Sequence, residues 1–192
     1  MKFHLIALTW CVAATLVAGD AAALTGDRAI ELVQFCAEKA GSRRSVEQEA
    51  RQQRWWRLDD GTLNNLRDST RLAQDDELGW LADREGAIVT LGTEGARLDA
   101  LGDPLETGAR ELPAQACTVY ATRTDPDQIM QGIEAVQIFG ASIGPAHDVT
   151  EVGDRRFQFW ILRSGDGEIA YVYAEFGNEV AAVEVGRLAE PQ

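Results

Sequence analysis

Histidine, lysine and cysteine are scarce in this chain. Of 192 residues, 2 are His, 3 are Cys and 2 are Lys, against 16 Arg. So few His and Cys exclude a zinc-finger type of site, which needs four such ligands at short spacing. Positive charge is short as well. The balance of 18 Lys plus Arg against 31 Asp plus Glu leaves a net charge of −13. Nucleic-acid binding needs clustered cations to neutralise phosphates, so that partner class is set aside. Glycine (18) and proline (5) are too few for a fibrous chain. There is no P-loop, dinucleotide fingerprint or H-E-x-x-H, and no cofactor or metal is expected. What is present is globular: 45% hydrophobic and 26% charged, in a length that fits one domain.

The first residues read as an address. Lys2 gives a positive start, Leu5 to Val17 form an apolar run, and Ala21-Ala22-Ala23 supply small residues in an A-x-A pattern. This is the layout of a secretory signal peptide, and the run is too short to span ~30 Å of hydrocarbon. We expect residues 1–23 to be removed and 24–192 to form a single domain without a transmembrane anchor. Cleavage would discard Cys11, His4, Lys2 and Asp20, leaving Cys36, Cys117, His147 and Lys39, with the charge still −13. The Arg-rich, Lys-poor usage fits GC-rich coding, and with the signal it suggests a bacterial periplasmic or secreted protein.

An even pair of cysteines in an exported chain reads as a disulfide. Cys36 lies in a segment with Ile30, Val33 and Ala37 at helical spacing, and Cys117 in the β-rich run Cys-Thr-Val-Tyr. A bridge would pin the first helix to a strand. A redox or nucleophilic thiol is the alternative, without a C-x-x-C to support it.

The fold class expected is α+β: N-terminal helices and a central helix packed on antiparallel sheet. Helices are predicted over 28–40, ended by Gly41, and over 46–56, opened by Ser45 with Gln48 as a capping box. The stretch 62–78 is ambiguous, with one short helix around Leu66 to Leu72. A strand is expected at 86–92, a loop at 102–108 and the Cys117 strand after it. Asp125-Pro126 opens a helix carrying Ile129, Ile133, Val136 and Phe139, with Gly140 ending it. A four-strand meander then runs from His147 to Val185, its turns at Gly153-Asp154, Asp166-Gly167 and Gly177-Asn178. Trp80 and Trp160 begin similar strand-turn patterns. They suggest a degenerate repeat with halves 24–123 and 124–192, or only ordinary turn chemistry.

Several constellations carry chemistry on paper. Gly140-Ala141-Ser142-Ile143-Gly144 fits G-x-S-x-G, which in α/β-hydrolases exposes a serine between strand and helix. Here a helix precedes it, and His147 and Asp148 follow too closely for that triad order, so Ser142, His147 and Asp148 are weak catalytic candidates. The bland reading is a Gly-rich loop with Gly140 as helix cap. Acidic groups Asp59-Asp60, Asp75-Asp76-Glu77 and Asp125/Asp127 offer oxygen ligands of the kind calcium takes, but fit no EF-hand pattern, and two of the three read as a cap or a turn. Glu151 beside Asp148, or Glu168, Glu175, Glu179 and Glu184, offer carboxylate pairs, but charge on a solvated sheet face is the ordinary reading. Arg54-Trp55-Trp56-Arg57 interleaves cations and aromatics. It suits an anionic or sugar ligand, or core Trp flanked by paired Arg. Tyr171 and Tyr173 share one strand face, as core or as a recognition stripe.

The function expected is a non-catalytic binding or interaction module of the cell envelope, with an unidentified protein or small molecule as partner. The alternatives are a hydrolase on Ser142 or a carboxylate pair, and a protein-partner or inhibitor module that pairs through a sheet edge.

Overall fold

The computed structural model describes residues 26–69, 76–83, 86–94, 114–122, 125–177 and 180–188. The expected signal segment, the loop at 102–108, Asp75, Asn178 and Glu179 lie outside these. The described chain runs α1 (Gly26–Lys39), α2 (Arg43–Gln52), β1 (Trp56–Arg57), α3 (Asp60–Ser69), β2 (Asp76–Leu81), β3 (Ile88–Glu94) and β4 (Ala114–Thr122). It continues through α4 (Pro126–Ile133), β5 (Gln137–Ile138), β6 (Ala141–Ser142), β7 (Asp148–Val152), β8 (Arg155–Arg163), β9 (Ile169–Phe176) and β10 (Val180–Leu188). Eight strands form one antiparallel sheet in the order β1-β2-β3-β4-β10-β9-β8-β7, and β5-β6 is a separate hairpin. The α+β class and the closing meander are as expected.

Strand alternation sends successive side chains to opposite faces. On one face Leu91, Cys117, Val119, Trp160, Val172, Ala174, Val183 and Val185 join Leu32, Val33 and Ala37 of α1, and Ile129 and Ile133 of α4, in a single core. The Cys36–Cys117 disulfide, Cα atoms 5.4 Å apart, ties α1 to β4 inside that core. Gly132 lets α4 lie against α1, since a Cβ there would meet Ile30 at 2.4 Å. The opposite face is apolar too: Tyr120, Phe157, Phe159, Tyr171 and Tyr173 are all buried.

The pairing register has an approximate two-fold through the Thr118–Glu184 pair at the β4–β10 seam. Trp80 pairs with Val89 and Val89 with Val119 on one side. Trp160 pairs with Val172 and Val172 with Val185 on the other. The two tryptophans of the sequence echo thus hold equivalent places on the helix-covered face, both buried.

Three predicted elements differ. Helix α2 starts at Arg43 because Ser42, not Ser45, is its N-cap: the Ser45 amide donates to Ser42 Oγ at 3.3 Å. It ends at Gln52 rather than Trp56, because Arg54 turns left-handed (φ 58). Trp55 N then donates to Ala50 O and Arg54 N to Arg51 O, a Schellman closure with arginine where glycine is usual. Helix α3 begins at Asp60, earlier than expected, with the Asp59 carboxylate accepting the Thr62 amide at 2.8 Å. Helix α4 stops at Ile133 rather than Gly140. The chain folds back instead, Ile143 N to Val136 O and Gly144 N to Glu134 O. Phe139 (φ 54) and Gly140 (φ 78) form the two-residue turn of the β5–β6 hairpin, with both dihedrals of the sign that matches strand twist.

Candidate functional site

The G-x-S-x-G serine is on this hairpin, not on a nucleophile elbow. Ser142 is exposed on β6 and pairs in register with Gln137. Gly140 is a hairpin-turn residue, which corrects its reading as a helix cap. His147 is committed to the sheet: its amide donates to Phe159 O at 2.9 Å, and its Nδ1 accepts the Ile161 amide at 3.1 Å. Accepting that bond requires an unprotonated Nδ1, so the imidazole serves as a backbone acceptor. Asp148 opens the exposed strand β7. Among the described residues no hydrogen bond joins Ser142, His147 and Asp148.

The basic-aromatic segment is divided by the end of α2. Trp55 sits edge-on to Phe35 with centroids 5.4 Å apart, at the rim of the core. Trp56 points outward on β1 and is 76% exposed. Arg57 lies over the Trp80 ring at 5.1 Å, while Arg54 is the exposed closing residue of the helix. The four residues are therefore not gathered around one groove, and Tyr171 and Tyr173 are core rather than a recognition stripe.

The meander carboxylates need a correction. Glu175 and Glu184 are buried, at 3% and 1% exposure, rather than solvated. The reason is the second apolar face: the alternation that places Tyr171 and Tyr173 inward there places Glu175 and Glu184 with them. Glu184 accepts from Tyr171 Oη at 3.0 Å and Thr118 Oγ1 at 3.2 Å, and Glu175 pairs with Arg155. Carboxyl groups bonded in this way are structural anchors, since a buried polar group needs such partners. Glu151 is tied to Arg156 at 3.2 Å. Asp125 is a helix cap, as read from the sequence, whereas Asp59, expected only in a turn, caps α3. The Thr62 amide holds the Asp59 carboxyl below the ordinary aspartate range, and the Ser164 hydroxyl does the same for Asp166. Among the described residues no three His, Cys, Asp or Glu side chains are close enough to share a metal.

Two features were not singled out in the sequence. One is strand β7 at the sheet edge, all five of whose residues are exposed, including Val149 and Val152 at 52% each. The other is a cleft of about 490 Å³ where the end of α1, the start of α2 and the end of β10 meet. Compared with known proteins, the chain matches no family model, no curated protein and no solved structure.

Proposed function

We propose that this is an exported, non-catalytic interaction module that recognises a protein partner by strand addition at β7. The observation carrying this reading is the edge itself. Edge strands are normally guarded by charged side chains, especially Lys, or by Pro, bulges or a covering loop. Strand β7, Asp-Val-Thr-Glu-Val, has no Lys, Pro or bulge; its charges are the carboxylates of Asp148 and Glu151, and it shows two large apolar side chains to solvent. An added strand would take its affinity from backbone hydrogen bonds and its selectivity from alternate side chains. Charge selects the occupant. Strand β7 itself carries two carboxylates, Asp148 and Glu151, the second paired with Arg156, and no cation, and a chain of net charge −13 repels its own copies. The fitting partner is an extended segment alternating basic and apolar residues.

Export supports the same reading. The disulfide suits an oxidising compartment, and no helix among the described residues is long and apolar enough to cross a membrane. With the N-terminal pattern of the sequence, the reading is a periplasmic or secreted protein. The test is fluorescence polarisation with a labelled peptide alternating Lys and Val, against its Glu/Val counterpart. The basic peptide should bind the full chain, and Val149→Lys with Val152→Lys should weaken it roughly tenfold. Equal binding of both peptides, or no effect of the two substitutions, would overturn the proposal.

A further inference from the structure

The cleft between α1, α2 and β10 is distant in sequence from β7 and is built around one arginine. Arg187 is held from three sides. Its Nη2 donates to Ala37 O at 3.0 Å, its guanidinium lies 5.0 Å from the Phe139 ring, and Nη1 is 3.7 Å from Glu168. The Ala37 carbonyl belongs to the last turn of α1, and the Phe139 ring is delivered by the left-handed turn of the β5–β6 hairpin. These contacts fix the plane of the guanidinium but do not consume its five N–H donors. Among the described residues the one carboxylate it meets is beyond hydrogen-bond length and sits on the exposed β8–β9 turn.

Further donors line the same cleft. Lys39, the only lysine after residue 2, is one of them. Ser42 and Ser45 are two more. Their hydroxyls bond each other at 2.9 Å and Ser42 Oγ also accepts the Ser45 amide, so one hydroxyl proton of the pair is left to donate. Phe139 and Ile169 supply apolar wall. The negative charges there are Glu168 and Glu38, and Glu38 is already engaged by Gln34. The volume is that of a small-molecule site.

We infer that this cleft binds a small organic monocarboxylate: the carboxylate on Arg187 and Lys39, the Ser42/Ser45 hydroxyls as further donors, and the apolar body on Phe139 and Ile169. Glu168 is then a built-in competitor that a ligand displaces. A single negative charge is favoured over a phosphate dianion, because the chain's own −13 penalises the second charge.

The experiment is amide NMR titration of the full chain with phenylbutyrate, phenylbutylamine and inorganic phosphate. Phenylbutyrate should give saturable shifts centred on Gly41, Ser42 and Ser45. Glu168→Gln removes the competitor from an exposed turn and should tighten binding roughly threefold, whereas Lys39→Gln should weaken it by a similar factor. Glu168 is exposed and Lys39 half-buried at the end of α1, and folding of both variants is checked on the same spectra. No saturation with phenylbutyrate, equal binding of the amine, or weaker binding in Glu168→Gln would overturn the inference. Phosphate saturating the same amides as tightly would overturn the assignment to a carboxylate with an apolar body.

Discussion

Replacing Gly186 with alanine tests the packing of the second sheet face at one atom. A Cβ there would lie 2.0, 2.1 and 2.3 Å from Cε1, Cζ and Oη of Tyr171. Ordinary carbon contacts are about 3.5–4.0 Å, so ring or strand must move by more than an ångström. The ring has nowhere to go, because Tyr171 is 1% exposed and its hydroxyl is held by Glu184, itself 1% exposed. Overpacking of this kind costs about 1–3 kcal/mol. Displacing the ring also strips the hydrogen bond from Tyr171 to the buried Glu184, whose loss costs a further ~1–3 kcal/mol. We expect Gly186→Ala to lose about 3–5 kcal/mol in urea unfolding, and roughly 10 °C in Tm. A glycine free of contacts would gain about 0.4–1 kcal/mol instead, through unfolded-state entropy. Gly186→Ala as stable as the parent would therefore refute the packing described here. The comparison variant is Gly132→Ala, which meets only the half-buried Ile30 side chain and should cost less.

Further outcomes follow from single contacts. Reducing the Cys36–Cys117 bridge, which closes an 81-residue separation, should lower stability by roughly 4 kcal/mol, read as a lower Tm in dithiothreitol. Arg54→Gly, at φ 58, should raise stability by about 1 kcal/mol in urea unfolding, since glycine takes that conformation without a Cβ clash. Glu184→Ala should cost ~2–4 kcal/mol by the same assay, because it leaves the Tyr171 and Thr118 hydroxyls without their buried acceptor. Asp59 and Asp166 have depressed carboxyl pKa values in the folded chain. Their contribution is full above the unfolded value near 3.9 and is lost as pH falls through the folded value. Asp59→Asn with Asp166→Asn should therefore flatten the fall of Tm below about pH 4.

Local signals in the sequence carried the elements, and long-range pairing decided the site. Asp125-Pro126 marks the start of α4 and Asp166-Gly167 the β8–β9 turn, because caps and tight turns depend on residues within a few positions. Cys36 and Cys117 were legible as a pair because no other cysteine remains once the N-terminal segment is set aside. The end of α4 was not legible. Ile129, Ile133 and Val136 keep a helical period, but Val136 belongs to the fold-back into β5, where it is buried by tertiary contact rather than by helix phase. Glu175 and Glu184 were misread because alternation says only that they share a face with Tyr171 and Tyr173, not that this face is covered. Strand β7 looked like any meander strand, since its edge position follows from the sheet order. The cleft draws on Lys39 with Ser42, on Phe139, on Glu168 and on Arg187, which lie in four separate segments of the chain.

Whether β7 is a recognition strand is read from amide hydrogen exchange of β7 with and without the basic strand peptide. Residues 148–152 carry few burial contacts and should exchange quickly in the free protein. Addition of the Lys/Val peptide should slow exchange, with the protection concentrated in 148–152 and lost in the Val149→Lys, Val152→Lys variant. Unchanged β7 exchange while the peptide is bound would contradict it.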